Sequence, residues 1–191
     1  MQTPSKLTSI SKFLSLVLRH QPEKIGLALD ASGWARVDDL LQKMEAAGQP
    51  LSREALRELV NASDKKRFAL NDDETLIRAN QGHSIDVDLD LPVITPPAVL
   101  YHGTASRFVE SILSGGLDRR ARHHVHLTED VSTAVAVGTR YGDPVLLRID
   151  AARMASLGHQ FRCSANGVWL VEGVPPEFIE RVESGTDSES I

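Results

Sequence analysis

Ile10, Phe13, Leu14, Val17 and Leu18 recur at helical spacing. They predict a first helix, capped by Thr8 or Ser9, that ends at Arg19-His20 before Pro22. Gly33 to Val37 reads as a short strand, and Asp38 as the cap of a helix through Leu40, Leu41 and Met44. Ser52 predicts a third helix, with Leu51 and Leu56 placed as a hydrophobic staple. Two short strand-like runs, 65–70 and 75–79, flank the polar turn Asn71-Asp72-Asp73 and predict a hairpin. Helices followed by a hairpin make a winged-helix pattern. Asp86, Asp88 and Asp90 then alternate with Val87, Leu89 and Leu91, as on a solvated strand face. The prolines at 92, 96 and 97 mark an extended connector.

The second half is denser in short strands. Val99 to Tyr101 is strand-like and runs into His102-Gly103-Thr104. A glycine directly after a strand lets a ligand approach the backbone. Phe108, Val109, Ile112 and Leu113 have helical spacing and stop at Gly115-Gly116. His123 to Leu127 reads as another strand. Alternation puts Arg122, His124 and His126 on one face, with His123, Val125 and Leu127 on the other. A helix follows from Asp130 to Gly138, a buried-type strand over 144–149, a short helix over 151–157 and a strand over 167–171. The tail from Ser184 is polar. The expected fold class is therefore α+β.

Composition narrows the chemistry. The chain has 191 residues, 41% of them hydrophobic, enough for a sizeable core in one domain or two small ones. The single cysteine, Cys163, excludes an intramolecular disulfide, and with the absence of a signal-type or membrane-spanning run it points to the cytoplasm. A net charge of −5 means that nucleic acid would have to be held by a local cluster of cations. Lys65-Lys66-Arg67 could contact phosphates, or simply protect an edge strand. Arg19-His20 could serve chemistry, or only complement a helix C-terminus. His124 and His126 could ligate a metal, but no third ligand stands at a sensible spacing and nearby arginines would repel a cation, so no metal is expected. No glycine-rich phosphate loop is present. What remains is an Arg- and His-rich constellation suited to phosphate.

The runs LSLVLRHQP, GWARVDDLL, KKRFAL, IRANQGHS, LYHGT, HHVHLT, VGTRYG and NGVWLVEGVPPEFI resemble the RNA 2′-phosphotransferase family, in the same order from about Ser11 to Val182. The resemblance implies a winged-helix RNA-binding lobe over 1–82 and a C-terminal ADP-ribosyltransferase-like lobe over 98–183 that binds NAD; the proline-rich stretch between them reads as a linker over 83–97, and the polar end as a flexible tail over 184–191. The resemblance also implies an enzyme that uses NAD as co-substrate and acts on 2′-phosphorylated RNA; a monomer is the default expectation, which the resemblance does not set. The family's essential Arg-His-Arg-Arg set maps onto Arg19, His20, Arg67 and Arg122. Lys65, Arg67 and Arg122 become the expected RNA phosphate contacts. By the same resemblance His102 would hold a ribose hydroxyl, the Gly103 backbone would bond the nicotinamide amide, and His126 would stand where relatives stack a tyrosine on nicotinamide. Thr104, Thr128 and Thr133 are candidates for the pocket wall.

One departure from other ADP-ribosyltransferases is informative. Their catalytic glutamate falls where this chain has Val168. A phosphate monoester with a second pKa of about 6 is already ionised at neutral pH and needs no general base to attack a sugar carbon. Two other readings stay open on sequence alone. One is ADP-ribosylation of nucleic-acid phosphate ends; the other is a non-catalytic RNA-binding module.

Overall fold

The computed structural model describes residues 4–62, 66–120 and 122–182. The expected phosphate contact Lys65 and the polar tail from Ser184 lie outside the described residues. The chain divides into two compact units, Met1–Leu91 with Ala121–His123 and Ser164–Asn166, and Pro92–Arg120 with His124–Cys163 and Gly167–Ile191.

The first unit opens with α1, Pro4–Arg19. It starts earlier than a Thr8 or Ser9 cap would place it, because proline is pre-set for the first turn of a helix and lacks only an amide that would go unbonded there. Its apolar stripe, Ile10, Leu14, Val17 and Leu18, is fully buried. Next come β1, Ala35–Arg36, and α2, Val37–Ala46. Asp38 lies within the first turn of α2 rather than at its cap; Arg36 takes the cap position without a side-chain bond, and Asp38 there faces the positive end of the dipole. Helix α3, Arg53–Asn61, is capped as expected, Ser52 accepting from the Ala55 amide. The hairpin follows, β2 over Phe68–Leu70 and β3 over Leu76–Ala79, and β1 joins β3 to make a three-stranded antiparallel sheet. One core runs through these elements, from Ile10 and Leu14 to Leu40, Met44, Leu56, Phe68 and Ile77.

The 86–90 segment is not a strand. Asp88 donates its amide to the Ala31 carbonyl and accepts from the Asp90 amide, and Asp90 takes a positive φ of 52°. Local Asp-to-backbone bonds of this kind compete with a ladder.

The second unit is built on β4, Val99–Ala105, which leads directly into α4, Ser106–Gly115. Then come β5 (Leu117–Asp118), β6 (Val125–Leu127), α5 (Val131–Gly138), β7 (Pro144–Asp150) and α6 (Ala151–Ser156). The unit closes with β8 (Arg162–Cys163), β9 (Trp169–Val171), β10 (Gly173–Val174) and β11 (Ile179–Arg181). All sheets are antiparallel, ordered β11-β7-β4, β6-β9-β8 and β10-β5. Leu100, Leu127, Leu147, Ile149, Phe161 and Trp169 belong to its core. Among the described residues, no helix is long and apolar enough to cross a membrane.

The histidine strand is shorter than its pattern predicts. Only Val125–Leu127 pairs, with β9, and Arg122, His123 and His124 form bends before it. Alternation therefore holds for buried Val125 and Leu127 against half-buried His126, but it does not set where Arg122 and His124 point.

Helix α5 is pressed onto β4 backbone to backbone. A Cβ on Gly103 would stand 1.6 Å from the Ala134 carbonyl oxygen, and one on Gly138 would stand 2.6 Å from that of Thr104. Gly103 thus has a packing duty besides any approach to ligand. Gly103→Ala should lower stability by about 2–3 kcal/mol, since neither backbone can give way cheaply. The thermal midpoint should fall by roughly 5–10 °C. An unchanged midpoint would mean that α5 is not held this close.

Candidate active site

The first unit gathers cations around the C-terminus of α1. Helical periodicity buries Leu14, Val17 and Leu18 and so leaves Arg19 half-buried and His20 exposed at the last turn. The chain end of the helix is tied down by a distant segment. The Ser84 amide donates to the Arg19 carbonyl at 2.9 Å, satisfying one of the carbonyls a helix end leaves unbonded. The Ser84 hydroxyl lies 2.9 Å from Nδ1 of His20.

Arg67 is fixed from its backbone. Its carbonyl accepts from the Arg19 Nη2 at 3.3 Å and from the Asn80 amide at 2.9 Å. The Asn80 side chain donates to the Lys66 carbonyl at 2.6 Å, holding Lys66 at a φ of 36°, a conformation a lysine seldom adopts unaided. The Arg19 guanidinium also sits 5.8 Å from the ring centroid of Phe68, the residue after Arg67.

Electrostatics show that these groups feel one another. Burial, then the charges of Arg67 and Arg122, lower the Arg19 pKa to about 10. Burial, then Arg19 and Arg122, hold His20 below the usual imidazole range. Thus Arg19-His20, Arg67 and Arg122, from three separate stretches of sequence, fall in one unit, and the charges of Arg67 and Arg122 reach Arg19.

Beneath them lies His83, only 3% exposed, with neither ring nitrogen hydrogen-bonded; the Arg19 Nε is likewise buried and unbonded. Burial, then Arg19, His123, His20 and Arg78, push the His83 pKa down to about 4, so the ring is neutral. Asn80, His83 and Ser84 are the residues that sequence reasoning passed over. Their signal was the polar cluster of the run IRANQGHS, where the hydrophobic pattern breaks.

The second unit presents the other candidate residues along β4 and β6. Tyr101 exchanges both backbone bonds with Thr128, at 2.7 and 3.0 Å. Because antiparallel residues two apart point their amides the same way, Gly103 turns its N–H and C=O to that same edge of β4. Nδ1 of His102 lies 3.1 Å from the His126 carbonyl. A carbonyl only accepts, so this nitrogen carries the proton and the neutral ring has its lone pair at Nε2. Thr104 is buried. The Thr128 hydroxyl accepts from the Asp130 amide, and the Thr133 amide donates to the Asp130 carboxylate that caps α5. Both threonines therefore have structural partners. The Cys163 thiol is pushed up by burial and by Glu129, away from thiolate character.

Residues 5–173 match the family described as "RNA 2'-phosphotransferase, Tpt1 / KptA family". The chain is 53% identical over 179 residues to a probable RNA 2′-phosphotransferase of Hahella chejuensis, covering 94% of this chain and 96% of that one. It is 54% identical over 173 residues to that of Burkholderia pseudomallei, with 91% and 94% covered. With that of Pseudomonas syringae pv. tomato the identity is 55% over 174 residues, with 91% and 93% covered.

Proposed function

The chain belongs to the RNA 2′-phosphotransferase, Tpt1/KptA family, an enzyme family, and we propose that it removes an internal RNA 2′-phosphate by passing it to NAD. The observation that carries this reading is the convergence of Arg19, His20, Arg67 and Arg122 in one unit. Arg67 and Arg122 act against the charge of Arg19, and Arg19 and Arg122 against that of His20, an arrangement that costs energy until an anion binds. A phosphate monoester brings a charge of about −1.5 to −2 and three acceptor oxygens, and guanidiniums match those oxygens in pairs.

The reaction proceeds in two steps. A phosphate oxygen attacks C1″ of the nicotinamide ribose; the C1″–nitrogen bond breaks and nicotinamide leaves. The ribose O2″ then attacks phosphorus, giving up its proton. The bond to the RNA 2′-oxygen breaks, and that oxygen takes a proton. The products are RNA with a 2′-hydroxyl, nicotinamide and ADP-ribose 1″,2″-cyclic phosphate. The intermediate is 2′-phospho-ADP-ribosylated RNA.

NAD would be held by His102, Gly103, Thr104 and His126. The His102 lone pair at Nε2 suits a ribose hydroxyl, and the Gly103 backbone, presented at a strand edge, suits an amide. Thr128 and Thr133 would serve through the turn and cap they build. Half-buried Val168 leaves no carboxylate at its position, which suits an acceptor that is already ionised. The first unit would be a winged-helix lobe for the RNA and the second an ADP-ribosyltransferase-like lobe. Neither step requires a metal.

The test is an assay with NAD and a 2′-phosphorylated oligonucleotide, resolved for nicotinamide, intermediate and final RNA. Conversion to 2′-hydroxyl RNA is expected. Nicotinamide release that stops at ADP-ribosylated RNA would favour a phosphate-end ADP-ribosyltransferase. No release at all would favour a binding module.

A further inference from the structure

We propose that Ser84 is a positioning residue for His20: its hydroxyl holds Nδ1 of the ring, so that Nε2 carries the proton delivered to the departing RNA 2′-oxygen. This rests on the reaction proposed above. It also rests on a contact that the family's Arg-His-Arg-Arg set does not include.

The geometry is specific. Residues 80–84 form a strap with both ends fastened. At one end Asn80 bonds the carbonyls of Lys66 and Arg67. At the other, Ser84 bonds the Arg19 carbonyl through its amide and the His20 ring through its hydroxyl, both at 2.9 Å. The amide alone makes the bond to the Arg19 carbonyl. The hydroxyl takes no part in that bond, and its partner is the titratable ring of His20.

The chemistry follows from which nitrogen is engaged. A general acid must offer a proton to its substrate and keep a stable form after losing it. In the charged ring Nδ1–H donates to Ser84 Oγ and Nε2–H faces away. After transfer the neutral ring keeps Nδ1–H on the same acceptor. A serine oxygen accepts in both forms, so nothing has to move. The surroundings oppose the charged ring. Arg19 on the same helix and Arg122 on the 121–123 segment repel it, and His83 on the strap is neutral and supplies no counter-charge. An acceptor at Nδ1 favours the charged form and works against that repulsion.

Ser84→Ala, Ser84→Thr, His20→Ala and the Ser84→Ala/His20→Ala double variant test this. Ser84→Ala should slow the second step about tenfold, the scale of one hydrogen bond to a charged group, and leave the first step within about twofold. Ser84→Thr should restore the rate to within about threefold. In the His20→Ala background the serine change should add nothing, because its effect passes through the ring. The fall in second-step rate with rising pH should move about one pH unit lower in Ser84→Ala, since losing the acceptor destabilises the charged ring. Nitrogen NMR of the His20 ring, in protein without substrate, should show the same downward move and a shift of the neutral tautomer toward Nε2–H. An equal loss in the His20→Ala background, or a loss in both steps with an unmoved pH profile and tautomer, would overturn the proposal and leave Ser84 merely structural. If the parent protein releases no nicotinamide and frees no 2′-hydroxyl, the reaction assigned above has failed instead. The NMR measurements still decide whether Ser84 sets the His20 proton.

Discussion

Arg67→Ala is expected to fill with 2′-phospho-ADP-ribosylated RNA. The substitution is clean, because Arg67 holds Arg19 through a backbone carbonyl that alanine keeps. Only the guanidinium is lost. In the proposed first step the phosphate would be the nucleophile, losing negative charge while positive character grows on the sugar. A fixed cation there binds and orients but gains little as the barrier is climbed. In the proposed second step charge would build on the equatorial oxygens of phosphorus and on the departing 2′-oxygen. Removing a donor aimed at developing charge slows a step by roughly 10²–10³. The second step should therefore become limiting. His20→Ala should act in the same direction, through loss of the proposed proton donor. Single-turnover time courses with labelled RNA measure both steps. If the two slow equally and no intermediate appears at any time, the arginines do not divide their work this way.

Acid should unfold the first unit through His83. Its pKa is about 4 in the folded chain, against an ordinary value of 6.5. Between those values the unfolded chain binds the proton and the folded chain refuses it. Stability is thus complete above pH 6.5 and declines as pH falls toward 4. The difference of about 2.5 pH units corresponds to about 3 kcal/mol. Because the ring is almost wholly buried and has no hydrogen bond, little solvent screening reduces this figure. Urea unfolding at a series of pH values measures it. His83→Met should flatten the curve over that window whatever its effect at neutral pH, and the difference between the two curves removes the contribution of carboxylates. Parallel curves for the parent and His83→Met would show that His83 titrates normally and that the cations around it are not felt.

Apolar spacing by itself determined the buried stripe of α1 and the central strands β4 and β7, because these are decided by which side chains must leave water; the cap of α3 and the hairpin were legible from local polar signals, Ser52 and the turn Asn71-Asp72-Asp73. It did not determine where Arg122 and His124 lie. The period-two pattern at 122–127 continues past the point where pairing with β9 stops, and alternation carries no meaning without a partner strand. Nor did it expose the second duty of Gly103, which depends on a helix thirty residues downstream in the chain pressing a carbonyl onto it. The motif residues of the candidate site were legible as residue types. Their grouping was not: Arg19, Arg67 and Arg122 sit on three segments, and what holds the first two in place is backbone bonding from Asn80 and Ser84. Those two, with His83, fall where the apolar pattern is interrupted. Hydrogen bonds to carbonyls leave no periodic trace in sequence, so only the tertiary structure could decide that a polar interruption is the strap that fixes the site.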